Sequence, residues 1–197
     1  MAIEIEAKMR LENPTTMRER LAALGAQSHR QLRETNIFFD TGDGQLKSTD
    51  QGLRVRIEAE DAGPTTTYIT HKGPRAHGKL KSRAETEAVV ADAEAAGALL
   101  AALGYQAVVT FEKRRSCYEI DGCQVELDTL PYLGDFIEIE GPTEDEVMAT
   151  RDKLGLADQP LIKASYIAML QDHLNQQGIR ENSIRFPETV EAIKEAG

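Results

Sequence analysis

Several common features are scarce or missing in this 197-residue sequence, and each absence narrows what the protein can be. Tryptophan is absent, and only 5% of the residues are aromatic. The two cysteines, Cys117 and Cys123, are too few for a disulfide framework, and their spacing matches no common zinc site. No apolar run is long enough to cross a bilayer. The first ten residues carry four charges and no signal-like apolar stretch, so a cytoplasmic protein without a membrane partner is predicted.

An excess of basic residues is also missing. The chain has 23 lysines and arginines against 33 aspartates and glutamates, which gives a formal net charge of −10. Because nucleic-acid binding normally needs a basic surface, no nucleic-acid partner is predicted. Net charge describes the whole surface and not a single site, so a local basic pocket remains compatible with this composition.

What the sequence does contain is a repeated alternation of apolar and polar residues with a period of two, which is typical of β-strands. About eight such segments, mostly joined by short turns, indicate a mainly antiparallel sandwich or barrel. Strands are predicted over residues 2–11, 35–40, 53–58, 65–72, 82–90, 105–120, 123–130 and 135–140. Helices are predicted over residues 14–24, 92–103, 143–154 and 165–177. One domain is expected over residues 1–177, followed by a polar tail over 178–197 with a short helix after Pro187.

Opposite the apolar face of six predicted strands, acidic and basic residues recur at every second position, so each set shares one face of its strand. Asp121-Gly122 is a strong two-residue hairpin signal, and it predicts that Arg115 faces Asp128 across the turn. The six sets are Glu4/Glu6/Lys8, Arg54/Arg56, Arg83/Glu85/Glu87, Lys113/Arg115, Glu126/Asp128 and Glu138/Glu140.

Two arrangements are compatible with these faces. In one, the sheet is open and its charged face is solvated and crossed by ion pairs. In the other, an α+β fold, eight antiparallel strands close into a barrel with a charged interior, and the helices pack on its outside. We favour the closed barrel because it accounts for both the helices and the charge doublets. Arginine and lysine bind phosphate oxygens, and carboxylates tolerate phosphate when a divalent cation lies between them, so such a tunnel suits a metal–polyphosphate complex.

The ordered motifs resemble the CYTH superfamily, also called triphosphate tunnel metalloenzymes. The resemblance begins with the E-x-E-x-K pattern of Glu4, Glu6 and Lys8 and covers about residues 2–170. The motifs that follow, in order, are Phe39-Asp40-Thr41, Leu53-Arg54-Val55-Arg56, Thr70-His71-Lys72-Gly73-Pro74, Ser82–Glu87, Lys113-Arg114-Arg115, Val125–Asp128, Gly134–Glu140 and Ser165-Tyr166.

The resemblance implies a role for each charged residue. Lys8 and Lys72 would be the catalytic lysines, and Mg²⁺, with Mn²⁺ as an alternative, would be the cofactor. The implied metal ligands are Glu4, Glu6, Glu138 and Glu140. The implied triphosphate ligands are Arg54, Arg56, Lys72, Arg83, Lys113 and Arg115. Supporting acids would be Glu85, Glu87, Glu126 and Asp128, and weaker basic candidates are Lys79, Lys81 and Lys163.

The resemblance also implies a small-molecule triphosphate substrate and a monomer or homodimer. It points first to a class IV adenylyl cyclase, which converts ATP to cyclic AMP and pyrophosphate. The alternative within the family is a triphosphatase that hydrolyses thiamine triphosphate or inorganic tripolyphosphate. A non-catalytic module that binds nucleotides or polyphosphate is a further alternative, and a purely structural protein ranks last.

Overall fold

The computed structural model describes residues 2–60, 63–76 and 80–187. Its strands are β1 (Ala2–Arg10), β2 (Gln27–Thr41), β3 (Gly52–Glu60), β4 (Thr65–Lys72), β5 (Lys81–Val90), β6 (Tyr105–Ile120), β7 (Cys123–Leu130), β8 (Gly134–Glu140) and β9 (Ser183–Ile184). Its helices are α1 (Pro14–Ala23), α2 (Gln45–Ser48), α3 (Ala93–Ala102), α4 (Glu144–Lys153) and α5 (Tyr166–Gln177). None of these helices has the length and hydrophobicity needed to cross a membrane.

The first eight strands form a closed antiparallel barrel, which confirms the predicted fold. Neighbouring strands follow the order β2-β3-β4-β5-β1-β8-β7-β6, and β2 pairs with β6 to close the sheet. The closing ladder is long, running from Gln27 opposite Glu119 to Thr41 opposite Tyr105. The short strand β9 pairs in parallel with β6 beside Thr110 and Phe111. Closure removes the exposed strand edges that an open sheet would present.

The hairpin between β6 and β7 has the predicted register. Asp121 and Gly122 both have positive φ angles, 53° and 76°, as a two-residue turn of type I′ requires. Arg115 lies opposite Asp128, and Cys117 lies opposite Glu126. Both cysteines are free, as expected.

Three helices cover the outward apolar face of the barrel. Met17 and Leu21 of α1 and Val147 of α4 pack in one cluster with outward residues of β1, β6, β7 and β8. Ala96 and Leu100 of α3 pack in another cluster with outward residues of β2 and β3. The predicted helix starts are confirmed at their caps, since Asn13, Asp92, Thr143 and Ser165 each accept a hydrogen bond from a first-turn amide.

Helix α5 takes a different position from α1, α3 and α4. Tyr166, Leu170 and Leu174 pack against Phe111 and Phe136, which belong to the inward-facing alternation of β6 and β8. The helix therefore fills one end of the barrel, where the interior lining changes from charged to apolar. The backbone amide of Ile162 donates to the carbonyl of Lys8 at 2.8 Å and joins the segment before α5 to β1.

Three local features were absent from the sequence prediction. Strand β2 begins at Gln27, well before the predicted residue 35, and α2 and β9 were not predicted. The β9 residue Ile184 is fully buried and belongs to the same cluster as α5, so the chain beyond residue 178 contributes to the core. The short helix predicted after Pro187 lies outside the described residues.

Candidate functional site

The barrel encloses a cavity of about 560 Å³ whose wall is built from the inward-facing charged residues. The predicted site residues on that wall are Glu4, Glu6, Arg54, Arg56, Lys72, Arg83, Glu85, Glu87, Lys113, Arg115, Glu126, Glu138 and Glu140. Lys8 and Asp128 are almost fully buried and lie just behind the wall, in contact with Glu138 and Arg115 respectively. The fold therefore brings every predicted charged face to one enclosed space.

Strand order divides the wall into two chemically different sides. Arg54, Arg56 and Arg83 come from β3 and β5 on one side. Glu126, Glu138 and Glu140 come from β7 and β8, beyond the β1 strand that separates the two sides. A ligand between them would meet mainly arginines on the first side, which also holds Glu85 and Glu87, and mainly carboxylates on the second, which also holds Lys113 and Arg115.

Lys72 is held between two carboxylates near the middle of this wall. Its Nζ lies 2.9 Å from Glu4 and 2.6 Å from Glu85. Lys81, a weaker candidate in the sequence, also reaches the wall, where its Nζ lies 2.7 Å from Glu6. These contacts neutralise carboxylates that would otherwise repel one another.

Lys8 is the most deeply buried basic group of the acidic side. Its Nζ lies 3.0 Å from Glu138 and 3.4 Å from Glu6, and it donates to the carbonyl of Ala164 at 3.3 Å. Burial alone would lower the pKa of Lys8, but the carboxylates of Glu138 and Glu6 outweigh it and raise the pKa. Lys8 is therefore charged at neutral pH.

Arg115 gathers three acids into one cluster. Its guanidinium contacts Glu126, lies 2.6 Å from Asp128 and lies 2.7 Å from Glu138. One carboxylate oxygen from each acid lies within 4.8 Å of the others, so the three can accommodate a metal ion. This grouping differs from the predicted ligand set, with which it shares only Glu138.

A second group of acids lies where β1, β5 and β8 meet. Glu140 pairs in register with Glu6 across the β1–β8 ladder. Burial raises the pKa of Glu140 to about 7, and the nearby charges of Glu4, Glu6 and Glu85 contribute. A divalent cation at this position would relieve the repulsion between these carboxylates.

Two arginines of the basic side have few anionic partners. Arg54 donates to the amide oxygen of Asn36 at 3.3 Å, and no described carboxylate lies within ion-pair distance of it. Burial, together with the charge of Arg56, lowers the pKa of Arg54. Among the described residues, Arg83 has one carboxylate within ion-pair distance, Asp50 at 3.8 Å, and the Nε atoms of both Arg54 and Arg83 are buried without a hydrogen-bond partner.

Residues of β2 line the cavity although the sequence analysis did not select them. Glu34 and Asn36 are fully buried, and Glu34 lies 3.3 Å from Lys113. Burial alone would raise the pKa of Glu34, but Lys113 and Arg115 outweigh it and lower the pKa to about 2. The i, i+2 spacing of Arg30, Leu32, Glu34 and Asn36 could have predicted that this face of β2 lines the cavity.

Two weak candidates from the sequence, Lys79 and Lys163, remain to be placed. Lys79 lies outside the described residues. The carbonyl of Lys163 accepts a hydrogen bond from Arg75 at 3.3 Å, next to the start of α5. Arg75 also pairs with Asp50 at 2.7 Å and so joins the segment after β4 to the turn before β3.

Comparison with known families agrees with this geometry. The family model described as the CYTH domain matches residues 2–166. The chain belongs to the CYTH family. This assignment confirms the family resemblance that the motifs predicted, and the CYTH match spans all eight strands of the barrel.

Individual relatives and solved structures are moderately similar to this chain. Adenylate cyclase CyaB of Aeromonas hydrophila is 31% identical over 184 residues, covering 87% of this chain and 90% of CyaB. The PH1819 protein of Pyrococcus horikoshii OT3 shares the fold with a TM-score of 0.74 and 27% identity, covering 86% of this chain and 98% of PH1819. HpAC1 of Hippeastrum has a TM-score of 0.64 at 22% identity, covering 90% of this chain and 97% of HpAC1. At this identity the likeness supports the fold alone.

Proposed function

We propose that this protein binds the triphosphate group of a small molecule inside the barrel, together with Mg²⁺ or Mn²⁺, and catalyses a reaction at one of its phosphorus atoms. The observation that carries the proposal is the incomplete pairing of Arg54 and Arg83 on the cavity wall. A buried guanidinium without an anion is costly, and phosphate oxygens are the partners that its planar donors suit best.

The acidic side fits a divalent cation. Glu6 Oε1 is buried and has no hydrogen-bond donor in the described part of the chain, although Lys8 Nζ lies 3.4 Å away. We assign Glu4, Glu6, Glu138 and Glu140 as the ligands, because hard oxygen donors suit Mg²⁺ and Mn²⁺. When bound, the cation would neutralise phosphate charge and so favour attack on phosphorus.

The basic residues divide the remaining work. Arg54, Arg56 and Arg83 bind the phosphate chain from one side, and Lys113 and Arg115 bind it from the other. Lys8 and Lys72 are the catalytic lysines, which orient the phosphates for in-line attack. The carboxylate partners of the two lysines hold them in place until the substrate enters. Lys72 can then replace its contact with Glu4 by a contact with a phosphate oxygen.

The supporting acids position the cations. Glu87 accepts hydrogen bonds from Arg56 at 2.9 Å and from the hydroxyl of Thr70 at 2.6 Å, which fixes the direction of the Arg56 guanidinium. Glu85 holds Lys72, and Glu126 and Asp128 hold Arg115.

The reaction that we propose first is cyclisation of ATP. The 3′-oxygen of the ribose attacks the α-phosphorus, the bond to the β-phosphate oxygen breaks, and pyrophosphate leaves while the hydroxyl proton is released. The name of the Aeromonas relative, adenylate cyclase CyaB, supports this choice.

Triphosphate hydrolysis is the second candidate. Water would attack the terminal phosphorus, and a diphosphate or pyrophosphate would leave. HpAC1, which has the same fold, is described as having a dominant triphosphatase activity, and this favours keeping hydrolysis beside cyclisation.

Product analysis separates these reactions. The purified protein is incubated with Mg²⁺ or Mn²⁺ and, in separate samples, with ATP, thiamine triphosphate and inorganic tripolyphosphate. Cyclic AMP with pyrophosphate identifies a cyclase, and orthophosphate release identifies a triphosphatase. Tight binding without turnover in all three samples would instead identify a binding module and overturn the proposed catalysis.

A further inference from the structure

One end of the barrel is closed by apolar and paired groups. The Phe136 ring meets the Tyr166 ring edge-on, with the ring centres 5.2 Å apart. Next to α5, Arg75 bonds to Asp50 and to the carbonyl of Lys163, and the side chains of Arg75 and Asp50 are each 41% exposed. At the other end, which we take as the open end, the cavity-lining side chain of Arg30 is 46% exposed.

Tyr166 lies where the cavity meets the closed end. Lys8 Nζ lies 4.0 Å from the centre of its ring, and Lys113 Nζ lies 5.6 Å from it. The residue is only 7% exposed, yet its hydroxyl has no hydrogen-bond partner among the described residues. Buried tyrosine hydroxyls normally have a partner, so this one points to an acceptor that enters the cavity.

The cations beside Tyr166, Lys8 and Lys113, favour an anionic acceptor, and they act against the nearby carboxylates of Asp128 and Glu138. Tyr166 is the first residue of α5, and Ser165, Tyr166 and Ile167 all line the cavity, so the positive end of the helix dipole faces the site. Burial, reinforced by Asp128 and Glu138, keeps the pKa of Tyr166 well above its ordinary value. The hydroxyl therefore keeps its proton and acts as a donor.

We propose that Tyr166 is the end stop of the tunnel: its hydroxyl donates a hydrogen bond to the free terminal phosphate of the bound triphosphate and fixes how far the chain enters. This inference rests on the proposed function and adds a specificity-determining residue to it. A terminal phosphate carries more charge than an internal one, so it is the group best placed beside Lys8, Lys113 and the start of α5. The organic end of a substrate then lies toward the open end, and ligands with organic groups at both ends fit poorly.

The test measures binding by calorimetry with Mg²⁺ present and two probes, inorganic tripolyphosphate and P1,P3-di(adenosine-5′) triphosphate. Three proteins are compared: wild type, Tyr166→Phe and Tyr118→Phe. The Phe variant at 166 keeps the ring and its contacts with Phe136 and Lys8, so its melting temperature should stay at or above that of wild type. Tyr118 packs in the outer cluster away from the cavity and provides the matched control.

We expect Tyr166→Phe to weaken tripolyphosphate binding about tenfold or more and Tyr118→Phe to change it less than twofold. Wild type should bind the dinucleotide at least tenfold more weakly than tripolyphosphate, and Tyr166→Phe should leave that weak binding unchanged. Equal tripolyphosphate affinity in wild type and Tyr166→Phe would overturn the end-stop role alone. Failure of wild type to bind tripolyphosphate would overturn the proposed function itself.

Discussion

Lys8 on β1 lies over the ring of Tyr166 at the start of α5, with its Nζ 4.0 Å from the ring centre. The backbone carbonyl of Lys8 accepts a hydrogen bond from the amide of Ile162, and the Nζ of Lys8 donates a hydrogen bond to the carbonyl of Ala164. One residue near the start of the chain therefore contacts the helix that closes the barrel and adds to the apolar packing of that helix. The acidic wall and the closed end of the cavity therefore meet at Lys8, through both its side chain and its backbone carbonyl.

This coupling predicts a large loss of stability when Lys8 is replaced by methionine. The substitution leaves Glu138 with Arg115 as its remaining ion-pair partner among the described residues, and breaking a buried ion pair costs about 3–5 kcal/mol. Urea unfolding at pH 7 measures the effect. Lys47→Met, which removes an exposed lysine on α2, is the control and should change the free energy of unfolding by less than about 0.5 kcal/mol. Equal midpoints for the two variants would contradict the coupling.

Arg54→Gln should separate stability from ligand binding. The buried guanidinium has no close carboxylate among the described residues, so its removal should leave the free energy of unfolding unchanged or raise it by about 1 kcal/mol. Tripolyphosphate affinity should fall tenfold or more, because a charge-assisted bond to phosphate is lost. Calorimetry and thermal melting check both effects, with the exposed Arg18→Gln on α1 as control. A destabilised variant with full affinity would show that Arg54 is a structural residue.

Glu140 should make the metal-free protein less stable as the pH rises. Its pKa is raised to about 7 in the folded state from an ordinary value near 4.5, so the folded state holds a proton that the unfolded state releases. Its stabilising effect is complete below about pH 4.5 and is lost as the pH rises through 7, which amounts to at most about 3 kcal/mol.

Thermal melting in a metal chelator between pH 5 and pH 8 tests this expectation. Glu140→Gln should flatten the pH dependence, and Mg²⁺ should stabilise wild type more at pH 8 than at pH 5. An identical slope in the two proteins would show that Glu140 does not titrate in this range.

Cys117 should react slowly with thiol reagents although it lines the cavity. Burial, with the charge of Glu126, raises the pKa of its thiol to about 12, and at pH 8 only about one molecule in ten thousand then carries the reactive thiolate. Alkylation of a Cys123→Ser variant should be roughly a thousandfold slower in buffer than in urea. A rate in buffer close to that of free cysteine would mean that the thiol is not held as the structure has it.

Much of the fold could be predicted from local chemistry. The turn at Asp121-Gly122 predicted the β6–β7 register, and the charge doublets identified the inward face of six of the eight barrel strands. The first half of β2 was missed because its outward residues, such as His29 and Arg33, are exposed and polar, so the strand has no apolar face there. When no helix covers a strand, its outward residues stay polar, and the sequence then shows no alternation of apolar and polar residues by which to predict the strand.

Other features depend on contacts that are distant in sequence. The stripe of Tyr166, Leu170 and Leu174 predicted a helix with a buried face, but not that this face would fill an end of the barrel. The pairing of Lys72 with both Glu4 and Glu85 likewise depends on the order of β4, β5 and β1 in the sheet. The sequence pattern could identify these residues as candidates, but the order of the strands in the sheet decides which of their side chains are in contact.

The ladder between β2 and β6 joins residues 27–41 to residues 105–119, so the barrel cannot close until most of the intervening chain is in place. Such distant pairings are slow to form and are typically completed late in folding. The cavity therefore forms only when the β2–β6 ladder has paired, and a partly folded chain has no binding site for a triphosphate. Bound triphosphate should then act mainly by slowing unfolding, because it stabilises a contact set that the transition state has yet to complete.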